Sequence, residues 1–554
     1  MRYLFGVFIL VLLSACSREQ KADLVLMNAR IWTVNPSQPE TEALAVQHGK
    51  IAAIDSTAEI KKWIGKDTRV IDAAGRRVLP GFTDAHTHFL AGGRTLLTID
   101  LRDCKDEGEF LNRLKAYADK LPAGRWITGG NWDHERTFAG VLPTRQLIDK
   151  VTPAHPVAIS RTDGHMLLAN SLALKLAKIT IDTQSPEGGV IVKDRKTGEP
   201  TGILKDAAMN LVYRVMPDPT PEEMDEALAA AMKHAAQVGV TSIHDMLGWD
   251  HWFVYKRARD KGRLTVRVRA YFPISTWERV VTLRDTVKSD EWLQIGGLKG
   301  FVDGSLGSST ALMFAPFADD STNSGTYVSD WFPVGIMKKR VHAADSAGLQ
   351  VVVHAIGDRA NAEMLDIYEQ VEKENGPKDR RFRIEHAQHL RPKDIPRFKA
   401  LGVIPSMQPY HCIDDGRWAE KRLGAERSKT TYAFRALLDA GANLSFGSDW
   451  DVAPLDPLLG IYAAVTRRTL DDVHPEGWIP EQKISVAEAV RCYTLNNAYA
   501  EFAENEKGSL EIGKWADFVM LSDDIFAIDP VQIRDVKVVM TVVGGKVMWE
   551  GGDK

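Results

Sequence analysis

The chain has 554 residues, of which 44% are apolar and 26% charged, with a formal net charge of −4. This is ordinary globular composition, with no large positive field to attract nucleic acid and no run of like charges long enough to make a tail. At roughly 150 residues per domain the length corresponds to about three or four domains, or fewer where one is a large barrel.

The first element is a processing segment. In MRYLFGVFILVLLSACSREQ, Arg2 precedes an apolar run from Tyr3 to Leu13 broken only by Gly6, and Ser14-Ala15-Cys16 follow. A positive start, a short apolar stretch and small residues at the cut mark a signal peptide over residues 1–15. The run is too short for a membrane-spanning helix, which needs ~20 residues. LSAC resembles the lipobox of bacterial lipoproteins. That resemblance implies lipidation of Cys16, a membrane anchor in the cell envelope and, because Ser17 follows in place of Asp, the outer membrane. A plain secretory signal is the alternative. The other cysteines, Cys104, Cys412 and Cys492, cannot all pair, and their spacing fits no zinc knuckle, so free thiols or at most one bridge are expected.

Short β-type runs come next: ADLVLMNARIWTV and EALAVQHGKIAAI, punctuated by Asn28 and Gly49, then TRVIDAAGRRVLPGF. The same texture returns in GSLEIGKWADFVMLSDD and VKVVMTVVGGKVMWEGG, so residues 22–80 and 504–552 are predicted to build one small β domain. Across 81–503, β runs alternate with helical stretches such as EEMDEALAAAMKHAAQVG, which is an α/β pattern. Candidate strands lie at 81–86, 239–245, 266–272, 298–304, 349–355, 382–387, 402–407 and 443–449. Eight strands with helical crossovers is the count of a (β/α)8 TIM barrel. Residues 97–220 break the rhythm with RWITGGNW, PVAISRTDG and Gly-rich turns, and are predicted to be an insertion after the first strand that caps the mouth.

The polar residues fall at matching places on those strands. His86 and His88 close the first, Lys299 sits in the fourth, His354 ends the fifth, His386 the sixth and Asp449 the eighth. Barrel active sites lie at the C-terminal ends of the strands, so these six side chains are predicted to converge. Residues i and i+2 of a strand share a face, so the HxH pair offers two imidazoles together. Imidazole is the commonest transition-metal ligand near neutral pH, and carboxylates complete an open site suited to catalysis.

PGFTDAHTH, GLKGFVDGSLGSSTA, VVVHAIGDRA, RIEHAQ, SMQPYH, FGSDWDVAPLDP and GSLEIGKWADFVML together resemble the amidohydrolase superfamily, in its amidohydrolase-3 branch, like N-substituted formamide deformylase. The resemblance covers nearly the whole mature chain. It implies a distorted (β/α)8 barrel with a β-sandwich from both termini. It implies a hydrolase with two divalent ions, zinc being the expected metal: His86, His88 and Asp449 on the more buried one, His354 and His386 on the other. Lys299, carboxylated by CO2, bridges them; Lys205 in TGILKDAA is a rival, but falls in the insertion. The resemblance further implies that a metal-activated hydroxide would attack the carbonyl of a non-peptide amide, with Asp449 moving the proton to the leaving nitrogen as general base turned general acid. The substrate class spans N-acyl or N-formyl amines, N-acyl amino acids and cyclic amides.

Further residues are candidates for the substrate pocket: Asn131 and Trp132 in GGNWDHER, Asp163 and His165 in SRTDGHMLLAN, Asp303 in FVDGSLG, and Gln408 and His411 in SMQPYH. A turn built on Asp163-Gly164 is the competing reading of the second phrase. Asp358 is expected to cap the helix after His354. Glu385 precedes His386, hence points to the other face, and is read as structural. Two other functions compete: a metal-dependent deaminase on the same scaffold, against which Lys299 argues, and a non-catalytic ligand-binding lipoprotein, against which the complete ligand set argues. Expected partners are a small-molecule amide, the membrane through Cys16 and a second copy of the chain as a homodimer; nucleic acid is not among them.

Overall fold

The computed structural model describes residues 21–161, 166–186 and 189–551. Cys16 and the signal segment, and Asp163 and His165, lie outside the described residues. Among the described residues no helix is long and apolar enough to cross a membrane.

Eight parallel strands form the central sheet: β1 (Phe82–Thr87), β2 (Val240–Met246), β3 (Arg267–Pro273), β4 (Leu293–Phe301), β5 (Gln350–Ala355), β6 (Arg383–His386), β7 (Ile404–Met407) and β8 (Ser445–Phe446). They pair in chain order. The sheet curls until the segment after β8 meets β1, where Thr87 bridges Trp450 and the Asp449 N–H donates to the His86 carbonyl at 2.7 Å. Every residue of β1 and β2 is buried, as expected of strands covered on both faces. All eight expected strands occur, with two differences of extent. β4 begins five residues earlier, at Leu293, and ends before Asp303. β8 is only two residues long, so Asp449 stands on the loop beyond it.

The helix Pro221–Gln237 shows how sequence builds the outer layer. Thr220 accepts from the Glu223 N–H while the Glu223 carboxylate accepts from the Thr220 N–H, and Pro221 takes the first turn, where its missing N–H costs nothing. Met224, Ala227, Leu228, Ala231, Met232 and Ala235 recur at helical spacing and are buried. The helix Phe89–Leu96 packs against it so closely that a Cβ on Gly93 would lie 2.2 Å from the Ala227 carbonyl oxygen.

Two further sheets come from the chain ends. One has four strands within residues 24–72; the other has six and mixes 30–32, 40–41 and 77–80 with 518–521, 538–543 and 546–550. Leu26, Ile31, Val46, Phe518, Met520 and Val542 belong to the apolar core that the two sheets share. Residues 99–206 carry a third, six-stranded sheet with its own core, including Phe110, Leu114, Trp132 and Ile159. Cys104, Cys412 and Cys492 are buried free thiols.

Candidate metal centre

All six side chains expected to converge meet at the C-terminal end of the barrel. The ligand atoms of His86, His386 and Asp449 lie within 4.8 Å of one another. His88 Nε2 is 3.3 Å from Asp449 Oδ1, and Lys299 Nζ is 3.2 Å from His86 Nε2. The rings of His354 and His386 stand 4.5 Å apart. Lys299 therefore reaches the centre; Lys205 instead lies in a strand of the insertion sheet, opposite Met166.

The rear nitrogen of three imidazoles is pinned by an acceptor. His86 Nδ1–H donates to Glu385 Oε2 at 2.6 Å, His386 Nδ1–H to Gln408 Oε1 at 2.7 Å and His354 Nε2–H to the Gly304 carbonyl at 3.1 Å. A neutral imidazole carries one N–H, so the other nitrogen of each ring keeps its lone pair free. Burial pushes the pKa of His86 down to about 4 and of His354 down to about 3, and holds His386 well below its usual value. Burial also lowers Lys299 to about 8. It opposes the charge on Asp449, but His86 and the hydrogen bond from His88 more than offset it, and the carboxyl is held well below its ordinary range. Three imidazoles held neutral by burial, an ionised carboxylate and a lysine lowered to about 8 are a donor set that fits divalent metal.

Backbone geometry aims two of these groups. His386 has φ +73° and Asp449 φ +60°, the left-handed region that non-glycine residues rarely enter. Such strain concentrates at functional sites. The loop carrying Asp449 is held by Asp84, which accepts from the Ser448 N–H at 2.9 Å and the His86 N–H at 3.0 Å. Gly447 permits that approach: a Cβ there would sit 2.6 Å from the His86 nitrogen.

The structure corrects several sequence readings. Glu385 is not a bystander; the turn at His386 ends strict alternation, so two successive residues both face the barrel interior. Arg383, two residues earlier, donates from Nε to Glu385 Oε1 at 2.7 Å. The signal for the pair was an Arg-x-Glu step in a strand, RIEH, that is buried throughout. Gln408 is buried behind His386 and orients it instead of lining a pocket. Asp303 is also buried, its carboxylate accepting from the N–H groups of Leu312, Ile356 and Gly357 at 2.8, 3.0 and 2.8 Å, so it braces the loop beneath His354. Asp358 does not cap its helix; Gly357 holds that position, and Asp358 accepts from the Phe314 N–H at 2.9 Å.

Trp132 does not line the mouth. It is 0% exposed in the insertion core, with Nε1–H donating to the Ile159 carbonyl at 2.9 Å. Trp132→Ala is accordingly expected to cost about 3–5 kcal/mol of stability, as large-to-small core changes do. A thermal melt checks this, and an unchanged melting temperature would contradict the burial. Asn131 is half-buried with φ +52°. His411 stands beside the centre, its ring parallel to that of His386 at 6.4 Å, and its Nε2 is buried without a hydrogen-bond partner.

A curled parallel barrel with imidazoles, a lysine and a carboxylate at the C-terminal mouth defines a metal-dependent hydrolase. The amidohydrolase family profile matches residues 69–549, and the chain belongs to that family. It is 40% identical to Protein LONG AFTER FAR-RED 3 of Arabidopsis thaliana, over 95% of this chain and 92% of the relative. It is 28% identical to the N-substituted formamide deformylase of Arthrobacter pascens, over 96% and 99%. The crystal structure of an uncharacterized metal-dependent hydrolase from Pyrococcus horikoshii OT3 superposes with a TM-score of 0.75 at 30% identity, covering 92% of this chain and 99% of that one.

Proposed function

We propose that the protein hydrolyses a C–N bond in a small non-peptide amide, an N-formyl or N-acyl amine being the first class to try. The observation that carries this is the set of three back-pinned imidazoles facing one ionised carboxylate beside a buried lysine. The N-substituted formamide deformylase relative supports the substrate class. His86, His88 and Asp449 would hold one divalent ion, His354 and His386 a second, and Lys299 as a carbamate would bridge them. Zinc suits this donor set. A divalent ion held there supplies Lewis acidity, polarising a carbonyl and lowering the pKa of water. Asp449 takes the proton of the attacking water and returns it to the leaving nitrogen, without which an amine is a poor leaving group. Carbamate formation needs a neutral amine, and the burial that lowers Lys299 to about 8 favours it. The unpartnered Nε2 of His411, beside His386, supports a role for it in meeting a polar group of the substrate.

The test is the metal-to-protein ratio of the chain without residues 1–15, followed by a panel of N-acyl amines. The expected result is about two ions per chain, the number a bridging lysine requires, with His386→Ala losing both metal and turnover. A single ion would remove the bridging role from Lys299 and favour a deaminase-like centre. No ion after reconstitution with zinc or manganese would sink the reading. The envelope anchor at Cys16 stands as part of this proposal, and Cys16→Ser should release the protein from the membrane fraction.

A further inference from the structure

TIM-barrel interiors are ordinarily filled by branched apolar residues. This one holds a file of charged and polar groups. His86 Nδ1 meets Glu385 Oε2 at 2.6 Å, and Glu385 Oε1 meets Arg383 Nε at 2.7 Å. On its other side Arg383 NH1 meets His244 Nδ1 of β2 at 2.7 Å. His244 Nε2 lies 3.4 Å from Glu501 Oε1, which is 2.5 Å from Lys507 Nζ. All five residues below His86 are buried. Glu501 also lines a cavity of about 370 Å³ at the opposite end of the barrel, with Arg269, Gln294 and Gln350 near the starts of β3, β4 and β5. The file thus runs from the metal centre to the barrel base.

The direction of its hydrogen bonds is fixed by one residue. A guanidinium has five N–H donors, no acceptor, and does not lose its proton in proteins. Arg383 therefore demands an acceptor at each contact: Glu385, the Ala85 carbonyl at 2.5 Å, Ser406 Oγ at 3.0 Å and His244 Nδ1. His244 must present a lone pair at Nδ1, which places its proton on Nε2, facing Glu501. At the upper end Glu385 accepts only, which places the His86 proton on Nδ1 and leaves Nε2 free toward the centre. Glu385 sets the tautomer of His86 and Arg383 that of His244, while Glu501 faces His244 Nε2 at 3.4 Å, within ion-pair distance but outside hydrogen-bond geometry.

We infer that Glu501 and His244 are positioning residues for the metal centre, acting through Arg383 and Glu385 to fix the tautomer and orientation of His86. The inference rests on the metal-centre reading above. Without the charge of Glu501, the Nε2 side of the His244 ring has no carboxylate facing it, the ring is free to turn away from its 2.7 Å contact with Arg383, and Glu385 is held less firmly against His86. Partners that orient a ligand histidine typically change metal affinity 10–100-fold when lost. Neither Glu501 nor His244 is among the residues assigned to hold an ion.

The experiment is a Co²⁺ titration with chelator competition on the whole chain, comparing wild type, Glu501→Gln and His244→Phe. Circular dichroism reports whether each variant folds, and the visible Co²⁺ band reports ligand geometry. The expected result is a wild-type fold with Co²⁺ bound about tenfold more weakly and a shifted band, at the lower end of the range for a lost orienting partner. Should one variant not fold, the other decides, since they break the file at different links. An affinity and band equal to wild type in a folded variant would overturn the inference and leave the file as packing. Failure of the wild type itself to take Co²⁺ would overturn the metal reading and this inference together, which keeps the two failures apart.

Discussion

Asp449→Asn is expected to lower kcat about 10²–10⁴-fold, the usual contribution of a positioned general acid–base, while the protein keeps its metal and its KM moves little. Asparagine preserves the shape of the side chain and one acceptor oxygen. His88 Nε2, 3.3 Å from Oδ1, can still donate to it, and the backbone N–H of residue 449 still reaches the His86 carbonyl at 2.7 Å. The amide cannot take up a proton near neutral pH, so only the transfer is removed. A loss confined to kcat and kcat/KM together is the signature of an interaction made in the transition state alone. The assay is steady-state kinetics on the best N-acyl amine, with metal content measured on the same sample. Near-normal turnover by metal-loaded Asp449→Asn would remove Asp449 from the proton path. Loss of metal alongside turnover would show it to be chiefly a ligand.

The six residues of the centre were legible because two simple periodicities place them. A strand puts i and i+2 on one face, and a barrel gathers strand ends at one mouth. Those rules bring His86 together with Lys299 and His354, which lie more than two hundred residues further along the chain. They failed at Glu385, where alternation assigns adjacent residues to opposite faces. The left-handed backbone of His386 ends the alternation, and nothing in RIEHAQ announces a positive φ. The pocket residues failed differently. Trp132, Asp303 and Gln408 have side chains able to meet a substrate, but residue type does not reveal whether a polar group faces a cavity or a hydrogen-bond partner within the protein. Asp303 is spent on three backbone N–H groups. The polar file through the barrel was illegible for the same reason: His244, Arg383 and Glu501 lie far apart in sequence, and each alone reads as a surface charge.

A large effect on stability is also expected where the barrel meets the terminal sheets. Arg267 opens β3, and Asp517 immediately precedes the terminal strand Phe518–Leu521. Their contact is bidentate, Nε to Oδ2 at 2.7 Å and NH2 to Oδ1 at 3.0 Å, and each residue is 5% exposed. NH1 donates to the Glu291 carbonyl at 3.0 Å, and the Gly544 N–H donates to Asp517 Oδ1 at 2.7 Å. The guanidinium also lies against two indoles, its carbon 4.5 Å from the centre of Trp515 and 4.9 Å from that of Trp292. Removing one member strands a buried charge, so Arg267→Met or Asp517→Leu alone should each cost about 3–5 kcal/mol. The double variant Arg267→Met/Asp517→Leu should recover most of that loss, because replacing a whole buried pair by apolar side chains is often neutral or better. Calorimetry of the three variants separates the contributions: the single variants should unfold at clearly lower temperature and the double variant near wild type. Equal losses in Arg267→Met and the double variant, with Asp517→Leu near wild type, would mean that stacking on Trp292 and Trp515, not charge pairing, holds the barrel to the sheets.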